Sequence, residues 1–281
     1  MSDLLPEIKE ISRLIGIKPS RSKGQNFLVN GKIYDFIVKA AALESNDTVL
    51  EVGPGLGFLT VRLAQAARRV LAVELDDRLA AYLRAGQEEA GLTNLEIINQ
   101  DILNFKPTDY GLKDFGYKIV ANLPYNISSI FLRNWLSGSI RPQSLLLMLQ
   151  KEVVERIVAR PSKMSLLSLS VQYYAEAKML KTVKSGNFWP EPQVDSALLR
   201  LTLYNRPLSS DEDQKFFRLA KFGFSSKRKM LKNNLAAGLK ISSGVILEIL
   251  TQQGLAAGVR AQDLSLEQWR QLFAALVSFM V

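Results

Sequence analysis

Residues 48–60 read TVLEVGPGLGFLT, and this stretch predicts the centre of the fold. The apolar residues Val49, Leu50 and Val52 predict a buried strand, and the glycine-rich turn 53–57 separates that strand from a helix starting near Phe58. Because glycine has no Cβ, such a turn can be tight and a ligand can approach its backbone, while the helix start offers free N–H groups. The pattern indicates either a nucleotide cradle or a βα corner in which glycine only permits the turn.

The composition indicates a globular protein, either one with a polyanionic partner or a soluble basic enzyme. The 281 residues are 47% hydrophobic, and 36 Lys and Arg against 27 Asp and Glu give a net charge of +9, which favours nucleic acid or an anionic membrane surface. The chain contains no Cys and no His, which excludes disulfides, thiolate zinc sites, cysteine nucleophiles and histidine bases. The N-terminus lacks a signal-peptide pattern and the apolar runs are too short to cross a bilayer, so we expect a cytoplasmic location and no membrane partner.

Strand and helix patterns alternate from residue 48 to residue 159, which predicts a doubly wound, mostly parallel sheet. Ligands of such sheets bind at the carboxyl ends of the strands, where four candidate residues fall: Gly53, Glu74, Asp101 and Asn122. The spacing of Glu74 from the glycine turn is close to that of an acid that accepts hydrogen bonds from ribose hydroxyls. Asp101 with Ile102 could hold an adenine, or Asp101 could simply cap a turn.

The sequence Asn122-Leu-Pro-Tyr125 after the fourth strand favours methyl transfer over hydride transfer. The N6 lone pair of adenine is delocalised into the ring, so an enzyme that methylates N6 must localise that pair with hydrogen-bond acceptors. The side-chain oxygen of Asn122 and the carbonyl of Leu123 could accept from the amine, since Pro124 keeps this backbone out of a helix. Tyr125 could then stack on the purine.

Two further segments are candidates for contact with RNA. The proline-containing loop 186–195 could hold Phe188 and Trp189 as stacking faces, or as a plug over a sheet edge. Beyond residue 206 the pattern is helical, so we predict a domain of residues 1–206 and a small all-helical domain of residues 207–281. A predicted helix over 227–237 carries four cations that could form a phosphate-facing ridge or a solvated face: Lys227, Arg228, Lys229 and Lys232.

Seven segments in this order resemble the ribosomal RNA adenine dimethyltransferases, and specifically the branch that modifies small-subunit rRNA. The resemblance covers nearly the whole chain and rests on GQNFL (24–28), EVGPGLG (51–57), VELD (73–76), QDI (100–102), NLPYNIS (122–128), FWPEPQVDSA (188–197) and KRKMLKNNL (227–235). It implies a Rossmann-like sheet that binds S-adenosylmethionine. The implied reaction is transfer of methyl groups to N6 of two adjacent adenosines in the 3′-terminal hairpin loop of 16S rRNA, during small-subunit biogenesis.

The resemblance also implies roles for individual residues. Asn122, Leu123, Pro124 and Tyr125 would form the amine-binding turn, with Phe188 as the second stacking face. The cofactor contacts would be Asn26, Leu28, Gly53, Gly55, Glu74, Asp101 and Asn122. We expect no metal, and a monomer fits an enzyme that docks on a larger particle.

Three alternatives stay open on the sequence alone. The antibiotic-resistance relatives that dimethylate one adenosine of large-subunit rRNA share the core motifs, although the LKNNL helix and the long helical tail favour the small-subunit branch. A ribosome-assembly factor whose binding matters more than catalysis is a second alternative. An NAD oxidoreductase is the third, but it has no use for Asn-Leu-Pro-Tyr. Lys184-Ser-Gly-Asn187, Gln193 and Gln262 depart from the residues expected in the family.

Overall fold

A computed structural model of the protein describes residues 3–19, 25–205 and 210–280. The chain forms two compact units, Met1–Val154 with Glu176–Leu203 and Glu155–Ala175 with Tyr204–Val281. The predicted domain boundary between residues 206 and 207 falls outside the described residues and stays a prediction. Residues 155–175 nevertheless belong to the second unit, because the helix within them packs against the C-terminal helices. One boundary in the sequence cannot separate the two units, because the chain enters the second unit at residue 155, returns to the first at residue 176 and enters the second again at residue 204.

A seven-stranded sheet forms the centre of the first unit, with strand order β4-β3-β2-β5-β6-β9-β7. The five strands from β4 to β6 in that order are parallel, and β9 runs antiparallel to β6. A separate two-stranded antiparallel sheet pairs β1 with β8. The strands are β1 (Phe27–Leu28), β2 (Thr48–Val52), β3 (Arg69–Glu74), β4 (Leu95–Asn99), β5 (Lys118–Asn122), β6 (Ser144–Gln150), β7 (Ala175–Val183), β8 (Phe188–Trp189) and β9 (Ser196–Leu203).

The helices that begin in the first unit alternate with these strands, as the pattern predicts. Strand β2 is buried along its whole length, since helices cover the sheet, and for that reason most of its residues are apolar. The parallel register sets Val52 beside Val73 and Ala121, so the ends of β2, β3 and β5 meet at one edge. The helices are α1 (Leu5–Leu14), α2 (Gly31–Ala41), α3 (Phe58–Ala66), α4 (Asp77–Glu89), α5 (Ser128–Ser137) and α6 (Lys151–Ile157).

The second unit is helical and packs around Trp269, which is fully buried. A capping box begins its last helix, because the Ser265 side chain accepts from Gln268 N at 3.2 Å and Gln268 Oε1 accepts from Ser265 N at 2.8 Å. The helices are α7 (Leu166–Tyr174), α8 (Ser210–Gly223), α9 (Leu231–Leu239), α10 (Ser243–Gln252) and α11 (Leu266–Leu276). Across 3–19, 25–205 and 210–280, no helix has the length and apolar character needed to span a bilayer.

The predicted helix over 227–237 is wrong at its start, since α9 begins at Leu231. The side chain of Asn234 donates to Gly223 O at 2.7 Å and to Ser226 O at 2.9 Å, and these bonds hold the preceding residues in a turn. Leu231 N also donates to Val259 O at 2.8 Å. These contacts are distant in sequence, so local helix propensity could not reveal them.

Candidate active site

The glycine-rich turn between β2 and α3 is shaped by backbone conformations that favour glycine. Gly53, Gly55 and Gly57 have φ of +67°, +60° and +85°, in the left-handed region. A Cβ on Gly55 would lie 3.0 Å from the Phe27 ring, and one on Gly57 would lie 2.8 Å from Leu83 Cδ2. The turn therefore excludes side chains on two sides and leaves its backbone open to a ligand.

Replacing Gly57 by alanine is expected to destabilise the protein and to weaken binding at the turn. The left-handed φ alone costs about 1–2 kcal/mol, and the contact with Leu83 adds about 1–3 kcal/mol of overpacking. Gly91→Ala is a matched control, because Gly91 has a φ of +63° and nothing within 4 Å of an added Cβ. We expect Gly57→Ala to lose more free energy of unfolding in urea than Gly91→Ala and to bind S-adenosylhomocysteine more weakly by calorimetry. Equal losses for the two variants would contradict this explanation of the turn.

Glu74 is the last residue of β3 and is hydrogen-bonded to the backbone of the glycine turn. Its side chain is 7% exposed, and its two carboxylate oxygens accept from Gly55 N at 3.1 Å and from Asp76 N at 2.9 Å. Burial raises the pKa of Glu74, while these backbone donors counteract the shift. A carboxylate oxygen has more than one acceptor site, which leaves capacity for the predicted ribose contact beside the bonds already made.

Asp101 and Asn122 lie at the ends of β4 and β5 on the same edge of the sheet. Asp101 Oδ1 accepts from Leu103 N at 2.9 Å, so this residue does act as a turn cap. Asn122 Nδ2 donates to Asn26 O at 3.3 Å, and its Oδ1 is left as an acceptor. Asn26 precedes β1, which is how the N-terminal segment reaches this edge.

The turn after β5 is anchored to the sheet, and the carbonyl of its second residue is not used to close it. Leu123 is buried at 2% exposure and its N–H donates to Met148 O at 3.3 Å, which anchors the turn. The hydrogen bond that closes the turn runs from Ile127 N to Pro124 O, so it does not use the carbonyl of Leu123. The phenol of Tyr125 is hydrogen-bonded to Ser196 Oγ at 2.8 Å, and burial raises the pKa of Tyr125.

The glycine turn and the ends of the neighbouring strands line one cavity of about 940 Å³ in the first unit. This volume is in the range of a site for a nucleoside-sized ligand. Leu123, Tyr125 and Phe188 are absent from its wall. The wall contains eight of the predicted site residues, namely Asn26, Leu28, Gly53, Gly55, Glu74, Asp101, Asn122 and Pro124.

Phe188 is not exposed as a stacking face in this structure. Its ring is 4% exposed within the main apolar core, and its backbone pairs with Leu28 between β8 and β1. Phe188 lies on the short strand β8 and not in a free loop. The two prolines after it predict a stiff loop and give no sign of this strand. The alternative given above, an aromatic plug, describes its position better.

The cavity wall contains three buried acceptors, of which the sequence predicted Asn26 as a site residue but not Gln25 or Glu51. Gln25 Oε1, Asn26 Oδ1 and Glu51 Oε2 are buried and have no hydrogen-bond partner among the described residues. Glu51 lies within the apolar strand β2, is 1% exposed, and has a pKa raised to about 8, chiefly by burial. A charged residue inside a fully buried strand was the available signal.

The basic segment 18–30 is only partly described. Lys18 lies in the cavity wall, and residues 20–24 lie outside the described part of the chain. Of the predicted RNA-binding cations, Lys227, Arg228 and Lys229 are exposed in the turn before α9, and Lys232 is on α9 itself. They do not form one helical ridge.

Comparison with known proteins identifies the family. The profile described as "Ribosomal RNA adenine dimethylase" matches residues 17–277. The chain belongs to the ribosomal RNA adenine dimethylase family. It is 41% identical over 270 residues to Ribosomal RNA small subunit methyltransferase A of Dehalococcoides mccartyi (strain CBDB1), covering 96% of this chain and 92% of the relative. The protein of the same name from Alkaliphilus oremlandii (strain OhILAs) is 35% identical, covering 93% of each chain.

Two solved structures are similar in fold to this chain. A dimethyladenosine transferase from Plasmodium falciparum matches with a TM-score of 0.78 and 26% identity, covering 90% of this chain and 98% of that one. The 23S rRNA methyltransferase ErmE matches with a TM-score of 0.75 and 28% identity, covering 90% and 100%. The predicted fold class, an α/β sheet of the S-adenosylmethionine-dependent methyltransferases, is confirmed, as is the predicted enzyme, an rRNA adenine dimethyltransferase.

The residues of the cavity fit S-adenosylmethionine. This cofactor carries an ammonium group, a sulfonium, a ribose and an adenine, and so needs both acceptors and a close backbone. The unpartnered oxygens of Gln25, Asn26 and Glu51 are acceptors suited to a cationic group. The side-chain-free face of the glycine turn admits the body of the ligand, and Glu74 and Asp101 supply carboxylates at the strand ends. Among the described residues, no group of three or more Asp or Glu could hold a metal ion.

Proposed function

We propose that this enzyme transfers methyl groups from S-adenosylmethionine to N6 of two adjacent adenosines in the 3′-terminal hairpin loop of 16S rRNA, during small-subunit biogenesis. The observation that carries the chemistry is the placement of the Asn122–Tyr125 turn at the edge of the cavity that the glycine turn also lines. The relatives named small subunit methyltransferase A, similar over more than nine-tenths of this chain, support the choice of subunit.

The turn would act by accepting hydrogen bonds from the target amine. Asn122 Oδ1 and the Leu123 carbonyl would each accept a hydrogen bond from one N6–H, which localises the nitrogen lone pair and directs it at the methyl group. Tyr125 would stack on the base after it leaves the RNA helix. S-adenosylmethionine supplies an electrophilic methyl group on a cationic sulfur that departs as a neutral thioether.

No strong base is required for this reaction, which agrees with a chain that has neither His nor Cys. Holding the nitrogen in line with the methyl group provides most of the rate acceleration. The methylated nitrogen is briefly cationic, so it is acidic enough to release its proton to water or to a carbonyl. The first unit therefore needs acceptors, a stacking face and exclusion of water, and its cavity offers the first of these directly.

Modification of large-subunit rRNA is the second candidate, because the fold is also similar to that of ErmE. Transfer of labelled methyl groups to purified subunits separates the two. We expect label on small subunits that lack methylation at the 3′-terminal hairpin, and none on large subunits. Label on large subunits alone would overturn the proposed substrate, and binding of cofactor without label on either would favour the assembly-factor role. A monomeric state and a cytoplasmic location follow from the proposed substrate and stay predictions.

The turn before α9 would bind RNA phosphates. Lys227, Arg228 and Lys229 are exposed, and the bonds from Asn234 to Gly223 and Ser226 fix the backbone that carries them. We expect replacement of all three cations by alanine to weaken binding to small subunits. The slope of log K against log salt should fall by about 0.7–0.9 for each phosphate that the variant no longer neutralises. Filter binding at several KCl concentrations measures this slope.

A control with the same loss of charge replaces Lys39, Lys106 and Lys113, which are exposed on the first unit. This control should keep the slope of the wild type, and both triple variants should keep its affinity for S-adenosylhomocysteine. If the slope falls equally in the two triple variants, the turn has no special role and only net charge attracts the RNA.

A further inference from the structure

Tyr125 is held at both ends of its side chain. Its backbone belongs to the short turn that follows Pro124, and its phenol is hydrogen-bonded to Ser196 Oγ at 2.8 Å. The two residues are 71 positions apart in the sequence. Ser196 is the first residue of β9 and is fully buried. The bond thus joins the amine-binding turn to a different part of the sheet.

Ser196 is itself a fixed anchor. It is paired in register with Gln150 at the end of β6, so the sheet holds its backbone. The neighbouring Asp195 is held by three contacts. Its carboxylate forms an ion pair with Lys184 Nζ at 2.9 Å and accepts from Ser185 N at 3.1 Å. Its carbonyl accepts from Lys151 N at 3.0 Å. A hydroxyl fixed in this way restricts the side-chain rotations of the ring bonded to it.

We infer that Ser196 is a positioning residue for methyl transfer: its buried hydroxyl fixes the Tyr125 phenol and thereby the plane of the ring on which the target adenine stacks. This inference rests on the proposed function of the Asn122–Tyr125 turn. Because Phe188 is buried in the core, the proposed stacking depends on Tyr125, the aromatic residue of the turn itself. The plane of Tyr125 then decides whether N6 meets the acceptors on Asn122 and Leu123.

The second methyl transfer should depend on this plane more than the first. An unmodified adenine presents two N–H groups to the turn, whereas monomethyladenine presents one and has fewer hydrogen bonds to orient it. Stacking must supply the remaining constraint. If the Tyr125 ring rotates more freely, we therefore expect the monomethyl product to accumulate. A general loss of stability would not change the ratio of the two products.

The test compares Ser196→Ala, Tyr125→Phe and the double variant, each of which removes the same hydrogen bond with little change of shape. We expect each single variant to lower kcat on small subunits about tenfold and to raise the ratio of monomethyl to dimethyl adenosine. The double variant should be no slower than either single one, since the bond can be lost only once. Affinity for S-adenosylhomocysteine should change by less than about twofold, because the bond lies outside the cofactor cavity.

Ser144→Ala is the matched control, because Ser144 begins the neighbouring strand β6 and is only partly buried. It should keep the activity and the product ratio of the wild type. Effects of Ser196→Ala and Tyr125→Phe that multiply in the double variant, or an unchanged product ratio in both single variants, would overturn the inference while leaving the proposed function intact. If Ser196→Ala does not fold, Tyr125→Phe decides through its product ratio. A wild type that methylates neither subunit overturns the proposed function and this inference with it.

Discussion

Replacement of Asn122 by alanine is expected to lower kcat for methyl transfer by about 10²- to 10³-fold, the effect of removing one group that stabilises charge in a transition state. The Asn122 side chain has its Nδ2 bonded to Asn26 O, which leaves Oδ1 as the acceptor for the amine of the target base. Alanine removes this acceptor, so the nitrogen lone pair stays delocalised. Single-turnover rates on small subunits, with saturating cofactor, measure the chemical step.

The control for this variant is Asn134→Ala, which removes an exposed asparagine from α5. It should leave kcat unchanged. Asn122→Ala also loses the bond to Asn26 O, so its affinity for S-adenosylhomocysteine should fall by up to about tenfold. A variant that binds cofactor weakly but turns over at the wild-type rate would show that Asn122 serves only the cofactor.

Replacement of Glu51 by glutamine is expected to weaken cofactor binding about tenfold or more at pH 8, the value of one lost charge-assisted hydrogen bond. The pKa of Glu51 is raised to about 8 by burial, and Glu74 on β3 adds to the rise. Tyr34 on α2 is close enough to feel both Glu51 and Arg62 on α3, since Glu51 raises and Arg62 lowers the pKa of Tyr34. Below pH 8 the carboxyl is mostly protonated in the free protein.

The pH dependence follows from linkage. A cationic ligand group favours the ionised carboxylate, so the affinity of the wild type for S-adenosylhomocysteine should rise between pH 6 and pH 8, and Glu51→Gln should flatten this rise. Stability should move the other way. Because the folded pKa lies above the unfolded value, Glu51 contributes stability that is complete below about pH 4.5 and is lost as pH rises toward 8.

Glu51→Gln should therefore be more stable than the wild type at pH 8 although it binds the cofactor less well. Urea unfolding and calorimetry at matched pH values give both quantities. Glu88→Gln, at an exposed position on α4, is the control and should change neither. Equal pH dependence of binding in the wild type and in Glu51→Gln would show that the carboxyl does not face the ligand.

The parts of the fold that local pattern determines were predictable from the sequence. Strand β3, Arg69–Glu74, is recognisable in the sequence because a buried parallel strand is a nearly continuous apolar run, here RVLAVE. The ends of the strands carry the expected cofactor residues because parallel strands bring their carboxyl ends to one edge. The cap formed by Ser265 and Gln268 was predictable because both groups act within one turn.

The remaining parts depend on contacts between distant segments. Hydrogen bonds of Asn234 to Gly223 and of Leu231 to Val259 hold the residues before α9 in a turn, so the helix begins at Leu231. Burial of Phe188 in the core follows from pairing of β8 with the N-terminal strand β1. The tether from Tyr125 to Ser196 joins residues whose proximity depends on how β9 enters the sheet. Local periodicity has no information on such contacts, so they required the structure.

The role of the Asn122–Tyr125 turn is best tested by mass analysis of the 3′-terminal hairpin of 16S rRNA, excised from small subunits after reaction with the enzyme. We predict two methyl groups on N6 of each of two adjacent adenosines with the wild type, and none with Tyr125→Ala at equal cofactor affinity. Methylation at any other atom or nucleotide, or an undiminished product from Tyr125→Ala, would contradict the claim that this turn receives and orients the target base.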